Sequence, residues 1–233
     1  MLGTLINVAL VLLGGGLGLW VGRYIAPRFR DTVMQGLGLC VMLIGLDGAL
    51  GTADVLAVIL CVVLGALLGE GINIEKRLES LGTMMERAVA RGQKPGGFVR
   101  GFTAASLLFC VGAMSIVGPL ESGLSGNHTT QIAKGVMDGV ASVFLAAALG
   151  PGVLGSALVI FLYQGGITLG ATFLAPLLTD AIVREMSAVG GLVIVGIGLN
   201  MLEITRIRVG NLLPAILLPM GYVPLAAWLG SIL

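Results

Sequence analysis

Four polar side chains recur within one apolar segment in the middle of the chain, at a spacing suited to binding a polar solute or an ion. Gln131, Lys134, Asp138 and Ser142 follow one another at steps of three, four and four residues, which places them on one face of a helix. Lys134 and Asp138, four residues apart, can form an ion pair. If the segment lies in a bilayer, the cost of a buried charge requires this face to contact protein or a water-filled cavity. Two interpretations follow: a substrate or ion pathway, or a structural ion pair that locks two helices together.

The stretch before this face is a second candidate for binding. Residues 115–131 include Gly118 and Pro119 and two further glycines, and they predict a loop that turns sharply and exposes backbone amides. One of the threonines at positions 129 and 130 is expected to cap the helix that follows. The N-terminus of that helix, with Lys134 one turn inside it, would favour a small anion such as a carboxylate.

Other polar residues leave the charge of the ligand open. Glu121 argues against an anion and favours a cation or a proton, and His128, the only histidine, is either an ordinary loop residue or a proton sensor. Asn7 is an isolated polar residue in an apolar run, for which hydrogen bonding between helices is the simplest role. The candidate solute-binding or ion-binding residues are Ser115, Gly118, Pro119, Glu121, Asn127, His128, Thr129, Gln131, Lys134, Asp138, Ser142 and Gln164, with Asp47 and Asn200 as secondary candidates.

The composition excludes an ordinary water-soluble protein. Of the 233 residues, 57% are hydrophobic and 11% are charged, against about 25% charged in a typical soluble domain. The net charge is +1, so no overall field attracts nucleic acid. Cys40, Cys61 and Cys110 lie in apolar runs without the spacing of a metal site, and we expect buried free thiols. We expect no cofactor and no bound metal.

The chain is therefore expected to be an all-α, polytopic membrane protein. A helical crossing needs about 20 mainly apolar residues, and the apolar runs lack the alternation of barrel strands. If the fourth and fifth segments are re-entrant hairpins, six spans remain. The eight candidate segments are residues 3–25, 33–51, 54–72, 99–118, 130–149, 152–177, 186–204 and 209–231.

Basic residues are concentrated in the odd-numbered connections between these segments. Eleven of the thirteen lie there, Arg184 lies in an even-numbered connection, and Lys134 lies within the fifth segment. Because basic loops are enriched on the cytoplasmic side, both termini are expected outside the cytoplasm. Charge counting does not distinguish eight spans from six, since a pair of re-entrant hairpins leaves every other loop on its side.

Residues 73–97 form the one markedly hydrophilic stretch and are predicted to contain a cytoplasmic amphipathic helix that links two halves. Its apolar residues recur at steps of three and four, while charged residues occupy the other face. Such a helix usually lies at the lipid headgroups, and a regulatory or partner-binding role is the alternative. The predicted apolar face consists of Ile74, Leu78, Leu81, Met85 and Val89.

Glycine and proline positions predict how the helices meet and where one of them breaks. Gly14, Gly18 and Gly22 recur every four residues, and such spacing permits close approach of two helices in lipid. Three prolines at five-residue intervals from Pro214 remove amide donors from the last segment and should interrupt it.

An internal repeat is predicted from matches between the two ends of the chain. The frame A-P-x3-D occurs at 26–31 and at 175–180, and I-G-L-D at 44–47 matches I-G-L-N at 197–200. Segments one to three would then recur as six to eight in the opposite orientation, as in many secondary transporters. A duplication kept for packing alone is the alternative. The resulting division is repeat 1 (1–72), the linker helix (73–97), a central polar helix pair (98–150) and the inverted repeat 2 (151–233).

Several local motifs are distinctive beyond their composition. They are G-A-M-S-I-V-G-P-L-E-S-G-L-S-G-N-H-T at 112–129, A-K-G-V-M-D-G-V-A-S at 133–142, Y-Q-G at 163–165 and G-T-L-I-N at 3–7. Through these motifs nearly the whole chain resembles the YdfK/YqgA family of bacterial inner-membrane proteins. That family is named for unknown function, so the resemblance implies a multi-pass protein of the bacterial inner membrane and no particular reaction or substrate.

No motif of an enzyme or of an ATP-driven pump is present, since the chain lacks a P-loop, a zinc-protease motif and a nucleophile elbow. We expect a secondary transporter of a small polar, anionic solute that works by alternating access and is driven by an ion or proton gradient. The alternatives are an oligomeric ion channel, a non-transporting scaffold, or an intramembrane enzyme using Asp138 or Glu121 with His128. The expected partners are the lipid bilayer, the solute, a coupling ion or proton, and further copies of the chain.

Overall fold

The computed structural model describes residues 1–24, 27–89 and 97–230, and every regular element in these ranges is helical, which confirms the predicted all-α class. Six helices are long and apolar enough to cross a membrane, and two bent helix pairs raise the number of candidate crossings to eight. The helices are α1 (Leu2–Gly22), α2 (Pro27–Leu50), α3 (Val55–Ile72), α4 (Ile74–Val89), α5 (Gly97–Cys110), α6 (Met114–Leu124), α7 (Thr129–Leu149), α8 (Gly152–Leu169), α9 (Ala171–Leu174), α10 (Asp180–Met201), α11 (Leu213–Leu217) and α12 (Pro219–Gly230).

Helices α1 and α7 run parallel in backbone contact. A Cβ atom added at Gly3 would lie 2.4 Å from Gln131 Oε1, and one added at Gly18 would lie 2.1 Å from the carbonyl oxygen of Val143. Residues early in α1 therefore contact residues early in α7, and residues late in α1 contact residues late in α7. It follows that α7 begins at the end of the bundle where α1 begins.

Helices α5 and α6 together form one broken crossing beside α8. A Cβ atom added at Gly152 would meet Phe98 near the start of α5, and one added at Gly123 would meet Thr168 near the end of α6. The two helices thus follow α8 along its length, with a bend of 60° between them. Since α7 then begins on the same side as α1, the chain passes from one end of the bundle to the other at the fourth segment, as expected if the bent pair is one of eight candidate crossings.

The remaining crossings are antiparallel pairs. Gly48 of α2 faces Ser187 of α10, and Gly65 of α3 faces Ala215 of α11. With eight crossings, one end of the bundle carries Met1 and the connections at 51–54, 125–128 and 178–179, and we call it the N-terminal face. The opposite end carries Arg23, α4 and the loop 202–208, and we call it the basic face.

The structure corrects several segment boundaries. The predicted span 99–118 is divided at Val111–Ala113, and the predicted loop 115–131 is mostly helix, with only residues 125–128 between α6 and α7. The predicted segment 152–177 ends as α8 at Leu169. Helix α10 begins at Asp180 and not at 186, because Thr179 accepts a hydrogen bond from the Ile182 amide (3.4 Å) and so caps it. Arg184 therefore lies within a helix.

The predicted interruption of the last segment is confirmed. The helical pieces before and after Leu218 meet at 42°, and Pro219 begins α12. Because proline has no amide hydrogen, the helical ladder is broken there.

Helix α4 lies on the basic face and packs against α5. Leu78 contacts the main hydrophobic core, and Gly82 lies against Phe102. Leu81, predicted to be on the apolar face, is 49% exposed, while the side chain of Val89 lies outside the described part. The apolar stripe of α4 is therefore narrower than predicted.

Hydrogen bonds tie the start of α4 to the start of the last crossing. The Gly210 amide donates to Glu75 Oε2 (2.6 Å), and Asn211 Oδ1 accepts from the Glu75 amide (2.8 Å). Asn211 also donates through Nδ2 to Glu70 Oε2 (2.6 Å), and Arg208 forms an ion pair with Glu70. These contacts fix the geometry of the basic face.

Burial raises the pKa of Glu75, and the Gly210 hydrogen bond only partly opposes this. Because the folded-state pKa lies above the unfolded value, the folded state binds more protons, and stability is highest below the unfolded pKa and falls as pH rises through the folded pKa. We expect the melting temperature in detergent to decrease over this acidic range. Glu75→Gln, which keeps the Gly210 contact, should flatten that slope, and an unchanged slope in this variant would contradict the assignment.

Candidate functional site

The polar face of α7 is buried inside the bundle. Gln131 and Ser142 have no exposed surface, and Lys134 and Asp138 are 7% and 6% exposed. The predicted ion pair is formed, with Lys134 Nζ 2.8 Å from Asp138 Oδ1 and 2.7 Å from Oδ2. This face contacts protein and not lipid.

One side of the ion pair is joined to α1 and α8 by hydrogen bonds. Asn7 Nδ2 donates to Asp138 Oδ2 (3.1 Å) and to Gln164 Oε1 (3.0 Å). Gln131 Nε2 donates to the same Gln164 oxygen (3.3 Å) and to Thr4 Oγ1 (2.9 Å). We call Thr4, Asn7, Gln131, Asp138, Gln164 and Thr168 the polar network, since Thr168 contacts Thr4 and the Gln164 carbonyl.

The polar network depends on close approach of the helix backbones. Gly3, Gly14 and Gly135 occupy positions where a Cβ atom would lie 2.1 to 3.0 Å from atoms of the facing helix. At this separation Ser142 Oγ reaches the Val11 carbonyl across the interface (3.1 Å). The glycine spacing therefore holds the polar side chains within hydrogen-bonding distance.

Three atoms of the polar network have no hydrogen-bond partner among the described residues, although they are buried. They are Asn7 Oδ1, Gln131 Oε1 and Gln164 Nε2. Since unpartnered buried polar atoms are costly, this side of the ion pair has unused capacity to bind water or a polar group.

The other side of the ion pair borders a cavity of about 350 Å³, which we call the central cavity. It lies between α2, the α5–α6 break, α7 and α10, in the half of the bundle nearer the N-terminal face. Its volume is at the lower end for small-molecule sites. The lining residues that carry polar groups or free backbone are Asp47, Gly112, Ala113, Ser115, Lys134, Asp138 and Ser187.

The break between α5 and α6 forms one wall of this cavity. Gly112 has a φ of +113°, a conformation that side chains disfavour. The amides of Gly112 and Ala113 donate no hydrogen bond to the described part of the chain. Ser115 Oγ donates to the carbonyl oxygen of Phe109 (3.1 Å) and stabilises the end of α5. Gly112 and Ala113, whose amides have no partner in the described part of the chain, thus line the cavity together with Lys134.

Other predicted candidates lie in the turn on the N-terminal face and do not line the central cavity. Thr130 Oγ1 donates to Glu121 Oε2 (2.6 Å), and Ser122 Oγ is 2.8 Å from His128 Nδ1. Neither threonine caps α7, because Asn127 Oδ1 accepts the amide of Thr129 instead (3.1 Å). Lys134, which was expected to add positive charge to the start of α7, is paired with Asp138.

The two secondary candidates lie at opposite ends of the α2–α10 pair. Asp47 is exposed and lines the central cavity, whereas Asn200 lies near the basic face. Asn200 closes the loop 202–208, because its Nδ2 donates to the Ile207 carbonyl (2.7 Å) and its Oδ1 accepts the Ile207 amide (2.8 Å). Gly118 and Pro119 are buried in α6, where Gly118 lies against Gln131.

One of the three cysteines is buried as predicted, and the other two are more exposed. Cys61 is buried and Cys110 is half-buried, but Cys40 is exposed on α2. An exposed thiol on an apolar helix costs little when the surrounding solvent is lipid, because a free cysteine behaves as a small hydrophobic residue.

Sequence reasoning missed Thr4, Thr168 and Ser187, and it treated Asn7 as isolated. Thr4 and Asn7 are three residues apart, and Gln164 and Thr168 are four apart, so each pair shares a helix face. This spacing was the available signal. It identifies polar faces but not which faces meet.

Comparison with known proteins identifies the family of the chain. The family model described as "Protein of unknown function (DUF554)" matches residues 2–223. The chain is 31% identical over 223 residues to the uncharacterized membrane protein YdfK of Bacillus subtilis (strain 168), covering 94% of each chain, and 31% identical over 231 residues to the uncharacterized protein YqgA of Escherichia coli (strain K12), covering 97% of each. No solved structure matches it significantly. The chain, with several apolar helices and a membrane protein among its relatives, belongs to the DUF554 family, as its motifs indicated.

Proposed function

We propose that this protein is a proton-coupled secondary transporter that moves a small anionic solute across the bacterial inner membrane by alternating access. The basic face would lie in the cytoplasm and both termini outside it, since basic residues are enriched on cytoplasmic loops. The proposal assigns no catalytic role to any residue.

The observation that carries the proposal is that a buried ion pair borders a cavity. Lys134 and Asp138 are each at least nine-tenths buried, yet both line the central cavity. A pair that only locks helices is best placed against packed side chains, because an adjacent space adds nothing to its stability. An ion pair beside a cavity of solute size can open, so that each of its charged groups binds the entering solute or ion in place of its partner.

Partner exchange links the solute to a proton. When Asp138 takes up a proton, its attraction for Lys134 falls, and the ammonium becomes available to a solute carboxylate in the central cavity. The free amides of Gly112 and Ala113 add donors for the same anion. One proton on Asp138 and one negative charge at Lys134 leave the charge of the site unchanged, so the loaded site avoids an uncompensated buried charge.

Asp47 brings a second carboxyl group to the edge of the central cavity. Its carboxylate is exposed and lines the same space as Asp138. With all three side chains ionised, Asp47, Asp138 and Lys134 sum to one negative charge, so protonation before anion entry is electrostatically favoured. The expected order is proton first and solute second.

The helix packing supports the inverted repeat on which alternating access would rest. Helices at equivalent positions of the predicted repeats contact each other: α1 with α8, α2 with α10 and α3 with α11. A two-fold axis between the repeats would also exchange the fourth and fifth crossings, and accordingly α1 packs against α7 while α8 packs against α5. This pattern is the one expected of a transporter with inverted repeats.

The proposal is tested by uptake into liposomes containing the purified protein. The probes are radiolabelled pyruvate, glycerate, succinate, glutamate and phosphate, each offered with the outside at lower pH than the inside. We expect saturable uptake of at least one of these anions that disappears without the pH gradient. Asp138→Asn should abolish this pH-dependent uptake, and Asp180→Asn, an exposed position at the start of α10, should not. Uptake of none of these anions, or uptake unchanged in Asp138→Asn, would contradict the proposal.

A further inference from the structure

A second cavity lies on the basic face, directly beyond the inner end of the central cavity. We propose that it is the second vestibule of the same pathway, so that the solute passes between two cavities separated by one thin apolar gate. This inference deepens the proposed transport function and rests on it.

The second cavity, which we call the basic-face cavity, has a volume of about 430 Å³. It lies where α4, α5, α7 and α10 meet at the basic face, and its outer part continues into a wider polar space of about 780 Å³ around Arg206 and Arg208. Both spaces share Glu75, Arg100 and Asn200. The basic-face cavity therefore opens toward the side of the bundle opposite to Met1.

The two cavities are lined by equivalent positions of the predicted repeats. Ile44, Asp47 and Gly48 of α2 line the central cavity, and Ile197, Asn200 and Met201 of α10 line the basic-face cavity. The offset is 153 residues in each case, the same as between I-G-L-D at 44–47 and I-G-L-N at 197–200. Inverted repeats place equivalent cavities on opposite sides of the membrane, and alternating access consists of opening one and then the other.

The wall between the cavities is about one helical turn thick on two helices. On α10 the central cavity reaches Ile194 and the basic-face cavity begins at Ile197. On α5 the corresponding residues are Leu108 and Ala104. At 1.5 Å per residue these separations correspond to about 5 Å along the helix.

The wall is apolar and closely packed. Leu145, Ile194 and Ile197 are 1%, 4% and 2% exposed and belong to one hydrophobic cluster. A polar solute cannot pass between these side chains without a shift of the helices that carry them. Leu145 lies on the same helix as Asp138, so protonation of the ion pair and opening of the gate are mechanically linked through α7.

The basic-face cavity has a free polar group suited to a solute. Thr103 lines it, and its buried Oγ1 has no hydrogen-bond partner among the described residues. Arg100 lies one turn away at the mouth, paired with Glu203 (3.3 Å) at an exposed position. Thr103 and Arg100 can hydrogen-bond the same class of small carboxylate that the central cavity would take. Because Glu75 and Glu79 line the same space, the solute would be held only weakly, as suits a vestibule.

The test is thiol labelling from each side of the membrane in a variant whose three cysteines are replaced by alanine. Ser187→Cys reports the central cavity, Thr103→Cys and Thr83→Cys report the basic-face cavity, and Leu13→Cys on the lipid-facing side of α1 is the control. The probe is a charged, membrane-impermeant methanethiosulfonate applied to vesicles of either orientation.

We expect Ser187→Cys to react at least tenfold faster from the N-terminal face, and Thr103→Cys and Thr83→Cys at least tenfold faster from the basic face. Acidification that protonates Asp138 should change the labelling rates in the two cavities in opposite directions. Leu13→Cys should stay unreactive. Reaction of both cavities from one face, rates that rise together, or no reaction at either basic-face position would overturn the proposal. Because labelling needs no solute, a failure here is distinguishable from a failure of uptake.

Discussion

Lys134→Met is expected to destabilise the folded protein by about 3–5 kcal/mol, because it leaves the Asp138 carboxylate buried without its partner. Asn7 still donates one hydrogen bond to that carboxylate but supplies no positive charge. The measurement is the thermal unfolding of the purified protein in detergent. A loss below about 1 kcal/mol would mean that the pair contributes little to the folded state.

The double variant Lys134→Met with Asp138→Leu distinguishes a structural lock from a pathway. Replacing a buried ion pair by apolar residues of similar volume is often neutral or stabilising, so the melting temperature should return to near that of the wild type. Uptake should remain absent, because neither the proton site nor the anion site is left. A stable double variant that still transports would show that the ion pair serves packing alone.

Gly18→Val is expected to cost about 3 kcal/mol or more and to separate α1 from α7. A Cβ atom at position 18 would lie 2.1 Å from the Val143 carbonyl oxygen and 2.9 Å from its Cα, so the clash is with backbone and no change of rotamer relieves it. Since α1 supplies Thr4 and Asn7, the polar network should be lost together with stability. The readouts are detergent thermostability and uptake.

Gly16→Val on the same helix is the matched control. A Cβ atom there meets nothing within 4 Å, and the residue is exposed on the lipid-facing side. We expect a change within about 0.5 kcal/mol, as for substitutions away from packed contacts. Equal losses in the two valine variants would show that helix propensity, and not the α1–α7 contact, determines the effect.

The fold class and the ion pair were predictable because both are local properties of the sequence. Composition and run length indicate membrane helices, and the step of four between Lys134 and Asp138 fixes their contact once α7 is helical. The bend near Leu218 was predictable for the same reason, since proline acts where it stands.

The break at Gly112 and the partners of Asp138 were not predictable. With 38 glycines in the chain, no single one identifies a break, and the positive φ of Gly112 is shared by Gly126 and Gly150. The Asn7–Asp138 contact joins positions 131 residues apart and depends on the register of α1 against α7. That register is fixed by glycine contacts on both helices, which sequence spacing alone does not align.

The turn at 125–128 shows what a local motif predicts and what it leaves open. Glycines, an asparagine and a histidine in one stretch indicated a binding loop, but these residues mainly hydrogen-bond to one another on the N-terminal face. Of the predicted loop 115–131, Ser115 lines the central cavity, and further polar groups come from separate crossings, such as Asp47 of α2 and Ser187 of α10. The local density of polar residues thus predicted a turn, and the part of this turn in binding stays a prediction.

Coupling of the proton to the anion is the central claim, and a pH-sensitive dye trapped inside liposomes tests it most directly. An inward gradient of the transported anion is imposed at equal initial pH on both sides, with protein-free liposomes and Asp138→Asn as controls. We predict acidification of the interior that accompanies anion uptake in the wild type and is absent from both controls. Anion uptake with no acidification, or equal acidification in Asp138→Asn, would contradict partner exchange at Lys134.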